Sequence, residues 1–357
     1  MSQMTPEQIK AALEAGIITQ SQADNMLADP IDNNGVDNNG VDSAAIGDEE
    51  NLRFIRGFSD IFISIGIGLL MLGIGAIAGL FGGGIAFIGA AIICAIMAEY
   101  FGRKKRSHLP TLISALAFLI FTLNGVSGLF ESAGFGGDIL TALITLIAMS
   151  AFYWRVRLPF CIALITLAGL YLGLTLFRMV APDFVASQFG WVMAIGGLIT
   201  LCFGIYYDSK DQHRTTRFSD NAFWLHLTAA PLLIHGSVLE LVKTQTTQVL
   251  GLVPVIDVSQ GDAVIMLLIV GLVTLVGLIL NRRALIVSSL IYALIAVGYL
   301  LIKSGVSLTL ALTLTLILIG AAITLLGVGW HPARNLIIKA LPQSRFIPGP
   351  YDANFKS

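Results

Sequence analysis

The stretch DIFISIGIGLLMLGIGAIAGLF, residues 60–81, decides the fold. From residue 61 to residue 81 it contains no charged side chain, and Ser64 carries its only hydroxyl. A helix of this length, at ~1.5 Å per residue, is about as long as the hydrocarbon core of a bilayer is thick. The stretch therefore predicts a membrane-spanning helix. Arg53 and Arg56 just before it predict that this end faces the cytoplasm.

The rest of the chain repeats this pattern. Of the 357 residues, 56% are hydrophobic and 12% are charged, whereas about a quarter of the residues in soluble domains are charged. A second apolar run follows the glycine turn at 82–84 and reaches Phe101. Eight more lie at 109–130, 137–154, 158–177, 184–206, 222–242, 261–281, 284–302 and 307–330. The ten runs predict an all-α polytopic bundle of about ten spans, with the lipid bilayer as its surroundings.

Lysine and arginine are unevenly divided between alternate loops. If the N-terminus is cytoplasmic, the inner loops hold most of them, with the densest cluster, RKKR, at 103–106. The outer connections hold only Arg178, Lys243 and Lys303. Because cytoplasmic loops are enriched in these residues, both termini are predicted to be cytoplasmic.

Four parts of the chain differ in composition. Residues 1–30 contain two helix-capping signals, TPEQ at 5–8 and TQSQ at 19–22, and predict a short cytoplasmic helical hairpin. Residues 31–52 contain two copies of DNNGV and predict a disordered acidic linker, because valine stands where a calcium loop needs an oxygen ligand. Residues 53–331 are the predicted membrane domain, and residues 332–357 the cytoplasmic tail. Since helices as short as those of the hairpin are marginal alone, residues 1–30 predict a partner: the membrane domain, a second copy of the chain or a cytoplasmic protein.

The seventh run contains the candidate polar site. His226 lies about one turn from its cytoplasmic end and His235 lies in its outer half, while Pro231 between them predicts a kinked, broken span. Ionisable side chains within a membrane are costly and suggest function. His235 lies at about the depth of Asn124 in the third run and Gln188 in the sixth, which suggests a polar cavity open to the outside. The alternative is a neutral histidine hydrogen-bonded to a neighbouring helix.

Other kinds of site have no signal in this sequence. Nine residues separate the two histidines, which places them on opposite faces of a helix and makes them a poor metal pair. The cysteines, Cys94, Cys161 and Cys202, lie in apolar runs without metal-site spacing. No phosphate loop, nucleophile elbow or carboxylate pair is present. A net charge of −1 also lacks the excess of positive charge that is typical of nucleic-acid-binding proteins. We therefore predict no cofactor, no metal and no enzyme.

Spaced glycines mark candidate helix contacts. Gly75, Gly79 and Gly83 follow the first run's small-xxx-small pattern, as do Gly169 and Gly173 in the fifth run. Small residues let helix backbones approach closely in lipid. We predict packing within the chain, with a dimer face as the alternative.

Residues 7–27, EQIKAALEAGIITQSQADNML, and residues 53–73, RFIRGFSDIFISIGIGLLMLG, with the linker between them, resemble a family of uncharacterised bacterial multi-pass membrane proteins. Members begin with a cytoplasmic helical hairpin, which AGIIT at 15–19 matches specifically. The resemblance implies a bacterial inner membrane and supplies no catalytic residues.

Two functions remain open from the sequence. The number of spans, Pro231 and the recurrence of FSD at 58–60 and 218–220, which suggests a repeat, favour a permease for a small solute. The alternative is a scaffold or sensor that recruits a partner through residues 1–30.

Overall fold

The computed structural model describes residues 13, 58–211, 216–242, 248–250, 253–255, 259–287 and 289–341. The described residues from 58 to 341 belong to one compact unit. The predicted linker, the hairpin except for the helical Leu13, and the tail beyond residue 341 lie outside the described residues.

Nearly all of the described chain is helical. Nine of its helices are long and apolar enough to cross a membrane. The helices are α1 (Phe58–Phe81), α2 (Gly83–Glu99), α3 (His108–Phe130), α4 (Phe135–Val156), α5 (Phe160–Val180), α6 (Pro182–Ser187), α7 (Phe189–Lys210), α8 (Arg217–Val242), α9 (Gln260–Leu280), α10 (Ala284–Val287), α11 (Leu290–Lys303), α12 (Leu308–Val328) and α13 (Trp330–Lys339). A small antiparallel hairpin pairs β1 (Gln248–Leu250) with β2 (Val253–Val255). The predicted all-α polytopic bundle is confirmed.

The ninth apolar run is not one long helix. It is divided into α10, of 4 residues, and α11, of 14 residues. Ser289, fully buried, lies before α11, and its hydroxyl donates a 2.6 Å hydrogen bond to Ile286 O. Serine commonly satisfies its hydroxyl on a carbonyl of its own helix in this way, so its presence gives no strongly polar signal in the sequence.

The seventh run, by contrast, is unbroken. α8 remains helical from Arg217 to Val242 with Pro231 inside it. Proline has no N–H to donate to the carbonyl four residues earlier, yet the helix continues on both sides. The prediction that the seventh span is broken was therefore wrong. The interrupted runs are the ninth and, near its start at Gln188, the sixth. The kink at Pro231 stays a prediction.

α7 and α8 pack backbone to backbone. Three glycines recur every seven residues along α7, and a Cβ on any of them would come too close to α8. A Cβ on Gly190 would lie 2.7 Å from Glu240 N, one on Gly197 would lie 2.6 Å from Leu233 N, and one on Gly204 would lie 2.8 Å from His226 Cε1. Heptad spacing keeps the three on one helix face, so α7 presents a smooth surface to α8.

The predicted packing glycines behave differently. A Cβ on Gly75 would lie 2.9 Å from Phe121 Cε1 in α3, and one on Gly79 would lie 3.8 Å from Phe87 Cζ in α2. Gly83 has a φ of +54° and forms the turn before α2 instead. No described atom outside the local helix backbone lies within 4 Å of a Cβ on Gly169 or Gly173. The prediction of packing within the chain was thus wrong for Gly83, Gly169 and Gly173. A dimer face at Gly169 and Gly173 stays a prediction.

Buried side chains form three apolar clusters. One joins α1, α2 and α3 around Met71, a second joins α2 to α5 around Met149, and the third joins α7 to α11 around Ile234. A T-shaped contact of the Phe160 and Trp224 rings, with centroids 4.7 Å apart, links α5 to α8. Many large apolar side chains point outward from these clusters. Such a surface is expected where helices contact lipid.

Candidate functional site

A buried ion network joins three elements at one end of the bundle. Asp208 lies in the last turn of α7 and is 7% exposed, His226 lies in α8 and is fully buried, and Arg282 follows α9 and is 2% exposed. His226 Nε2 lies 2.7 Å from Asp208 Oδ2. Arg282 Nε donates to the same oxygen at 3.2 Å, and its Nη2 donates to Asp208 Oδ1. One carboxylate is therefore held from two sides.

Local backbone geometry positions each member of this network. Gly204, one turn before Asp208, leaves room for the His226 ring. Asn281 ends α9 with a φ of +53°, a left-handed conformation that asparagine tolerates better than most residues. The chain then reverses, and the Arg282 amide donates to Gly277 O at 2.8 Å. This reversal turns the guanidinium of Arg282 back toward α7.

Two neighbours support the arginine and the turn. Arg282 Nη2 also donates to Ser219 Oγ at 3.2 Å, which ties it to the first turn of α8. The indole Nε1 of Trp330 in α13 donates to Asn281 Oδ1 at 2.7 Å. The network therefore connects α7, α8, α9 and α13, and a movement of any one of them would change its hydrogen bonds.

The network is a buried ion pair with a histidine bonded to the same carboxylate. Asp208 and Arg282 balance each other in charge, and bidentate carboxylate–guanidinium pairing is the strong form of this contact. A proton on His226 would add a second positive charge beside the same carboxylate. Buried ion pairs are weak contributors to stability, because desolvation offsets their attraction. Their presence here calls for another reason.

His235 makes a second polar contact on α8. Its Nδ1 meets the hydroxyl of Tyr292 in α11, and the two rings are T-shaped with centroids 5.2 Å apart. Nine residues of helix place it roughly 13 Å from His226 along the axis, at ~1.5 Å per residue. Buried apolar residues, Ala229, Ala230 and Ile234, lie between the two histidines in the sequence. Tyr292 lies just after the break in the ninth run.

The structure does not bring the four predicted polar residues together. Asn124 is exposed, and its Nδ2 donates to Ile120 O in its own helix at 2.8 Å. Gln188 lies at the turn between α6 and α7, where its backbone N–H donates a hydrogen bond to Phe184 O at 2.8 Å. In the described part of the chain, no hydrogen bond joins either side chain to His235. His226 and His235 belong to separate contacts, and the His235 geometry corresponds to the alternative of a histidine bonded to a neighbouring helix.

Sequence reasoning missed two of the three ion-network residues. Asp208 follows the apolar run 184–206 and resembles a loop residue, whereas Arg282 counts among the basic residues of a predicted inner loop. Counting charges for topology treats such an arginine as exposed. Only the histidine inside the next run indicated a buried polar contact, and nothing in the sequence identified its partners.

Metal binding has no support among the described residues. They contain no group of three or more His, Cys, Asp or Glu side chains that could hold a metal ion. The three cysteines are free thiols, with Cys94 and Cys161 buried and Cys202 exposed.

Comparison with family models, with curated proteins and with solved structures found no match. The class that the fold defines is an integral multi-pass membrane protein built as a helical bundle. Membership of the bacterial family with an N-terminal hairpin stays a prediction.

Proposed function

We propose that this protein is a permease for a small solute, and that the Asp208–His226–Arg282 network controls one end of its pathway. The observation that carries the proposal is the burial of three ionisable side chains on three different elements. Ionisable groups in membrane domains are costly, and they mark ion or substrate pathways and proton relays.

The position of α8 supports the proposal further. This helix carries polar contacts at two depths, His226 with Asp208 and His235 with Tyr292. The break between α10 and α11 lies between Arg282 and Tyr292, so it adjoins both contacts along the chain. Discontinuous helices beside polar side chains are common at the binding sites of secondary transporters.

The scaffold or sensor hypothesis depends on residues 1–30, which, apart from Leu13, lie outside the described residues. No contact in the described part of the chain favours it. It remains the alternative that the experiment addresses.

The test uses full-length protein reconstituted into liposomes. Stopped-flow light scattering follows the entry of glycerol, urea and L-alanine, and trapped pyranine follows the entry of protons with acetate. At least one probe should enter faster than it enters empty liposomes. Asp208→Asn should lower that rate about tenfold, equivalent to ~1.4 kcal/mol in the barrier.

Asn124→Leu is the matched control, because it removes an exposed polar group that bonds only its own helix. Its rate should equal that of the parent protein, and the melting temperature of each variant in detergent checks folding. If no probe enters faster than in empty liposomes, the permease proposal fails. Equal rates for Asp208→Asn and the parent would remove the ion network from the pathway.

A further inference from the structure

A basic pocket of about 960 Å³, here called the arginine pocket, opens at the end of the bundle that contains the RKKR turn. The turn between α2 and α3, the end of α4 and the start of α8 surround it. One acidic residue, Asp220, and five arginines line it. The arginines are Arg103, Arg106, Arg155, Arg157 and Arg217.

The positive charge of this pocket is only partly balanced. Glu99 accepts hydrogen bonds from Arg103 Nη1 at 3.0 Å and from Arg155 Nη2 at 2.8 Å. The other three arginines are exposed and form no ion pair within the part of the chain that the structure describes. These are Arg106, Arg157 and Arg217. A bound anion would neutralise them.

The backbone around the pocket is unusual. Arg106 and Arg157 have φ values of 53° and 55°, and only Asn281 shares this feature among the described non-glycine residues. The left-handed region is unfavourable for a residue with a side chain, although it is a common conformation at the end of a helix. A π-helical turn, Tyr100–Lys104, precedes Arg106, and π turns are frequent at functional sites. Arg157 ends α4 in the left-handed conformation, and the turns at Arg106 and Arg157 each contribute an arginine to the lining of the pocket.

The general enrichment of cations at the cytoplasmic side does not explain this arrangement. Lys104 and Lys105 belong to the same RKKR turn, yet neither lines the pocket. Lys104 Nζ instead lies 5.6 Å from the centre of the Tyr100 ring. Topology is served equally by lysine and arginine, whereas the planar fork of arginine matches phosphate oxygens two at a time. The pocket is thus lined by the type of cation whose geometry suits a phosphate group.

We propose that the arginine pocket binds a phosphate-bearing ligand. Its volume exceeds the needs of a phosphate ion and suits a headgroup or a small phosphorylated compound. Trp154, 75% exposed, and Pro159 supply an apolar wall.

An adjacent crevice favours a lipid as the source of the phosphate. It has a volume of about 700 Å³, runs between α2, α3 and α4, and is lined mostly by apolar side chains. Arg155 lines both the crevice and the arginine pocket. An acyl chain in the crevice would therefore place its headgroup among the arginines. Basic pockets between helices bind anionic headgroups in this way.

Binding is measured on delipidated full-length protein in detergent through tryptophan emission, to which the exposed Trp154 contributes. The soluble probe is inorganic pyrophosphate. The lipid probe is dihexanoyl phosphatidylglycerol, with dihexanoyl phosphatidylcholine as its zwitterionic control. Saturable binding of pyrophosphate or phosphatidylglycerol is expected, with a signal that Trp154→Phe reduces. Binding of phosphatidylglycerol alone identifies a lipid source, and comparable binding of pyrophosphate identifies a soluble one.

Two matched triple variants locate the site. Arg106→Gln, Arg157→Gln and Arg217→Gln together should weaken binding about tenfold or more, because each substitution removes a charged group that can donate hydrogen bonds to the phosphate. Lys104→Gln, Lys105→Gln and Lys339→Gln remove as many cations outside the pocket and should leave the Kd within about twofold, as expected for remote surface charges. The corresponding triple Arg→Lys variant keeps the charge and protects folding, and it should still bind several-fold more weakly.

Three results would overturn the proposal. One is the absence of saturable binding by pyrophosphate and phosphatidylglycerol alike. Another is an equal loss of affinity in the two glutamine triples, which would indicate general electrostatic attraction. The third is full affinity in the Arg→Lys triple, which would remove the requirement for the guanidinium fork.

Discussion

At Gly204 the absence of a side chain allows His226 to reach Asp208. A Cβ there would lie 2.8 Å from His226 Cε1 and 3.0 Å from Nδ1. The imidazole cannot move aside freely, because its Nε2 is bonded to Asp208 and the ring is fully buried. A single methyl group at this position therefore opposes a hydrogen bond of the ion network.

Gly204→Ala should lower the melting temperature of the protein in detergent, with a cost of about 1–3 kcal/mol typical of overpacking. Gly271→Ala is the matched control, since it also replaces a glycine inside a helix, and a Cβ there would meet no described atom outside the local helix backbone within 4 Å. Because alanine favours helix by up to ~1 kcal/mol, the control should leave the melting temperature unchanged or raise it. Equal melting temperatures for the two variants would contradict the close approach of α7 and α8.

A second prediction concerns the charges themselves. Arg282→Met leaves Asp208 buried without its guanidinium and should cost about 3–5 kcal/mol, whereas the double variant Arg282→Met with Asp208→Leu removes both charges and should regain most of that loss. Unfolding of the parent and the three variants, including Asp208→Leu alone, completes a double-mutant cycle. Additive losses would show that the two charges are not coupled.

At the scale of helices, hydropathy predicted the spans because lipid leaves a buried chain few alternatives to helix. Nine long apolar helices follow nine of the ten predicted runs. The glycine contacts were harder to predict. Spacing gives the face of a helix but not its neighbour. Gly169 belongs to a small-xxx-small pattern and meets no other helix in the described part of the chain, whereas Gly197, with Met193 and Leu201 four residues away on either side, meets the backbone of Leu233. The break in the ninth run was missed because serines do not interrupt hydropathy.

The N-termini of α9 and α12 allow a test of helix capping. Ser259 and Asp262 form a complete capping box at α9, with reciprocal bonds of 3.1 and 3.0 Å. Ser307 occupies the same position before α12 and makes no side-chain cap bond. Ser259→Ala should therefore cost about 1 kcal/mol, and Ser307→Ala should change the melting temperature much less. A larger effect at Ser307 would contradict this assignment.

For the molecule as a whole, the recurrence of FSD now has a geometric counterpart. Ser107 Oγ donates to Asp60 Oδ1 at 2.7 Å, so the first FSD segment contacts the turn that follows the next span. The second does the same, since Arg282 Nη2 donates to Ser219 Oγ at 3.2 Å. A parallel repeat predicts equivalent contacts of this kind.

The ion network could not be predicted from the sequence, because it depends on which loops meet after the helices have packed.

Orientation in the membrane is also testable at this scale. Reporter fusions after Arg106 and after Arg283 should report the cytoplasm, and fusions near Gly136 and Ser259 should report the opposite side, because lysine and arginine are concentrated in alternate loops. A reversed result at either of the two later fusions would contradict the predicted ten-span topology.

Cys202 gives the protein a natural chemical probe. It is exposed within α7, whereas Cys94 and Cys161 are buried. Since it lies well inside an apolar helix, we expect one equivalent of membrane-permeant N-ethylmaleimide to react with the folded protein in liposomes, while a charged maleimide reacts slowly. Labelling of all three thiols, or equal rates with both reagents, would contradict this placement. A spectroscopic label attached there would report mid-bilayer depth from an otherwise unaltered sequence.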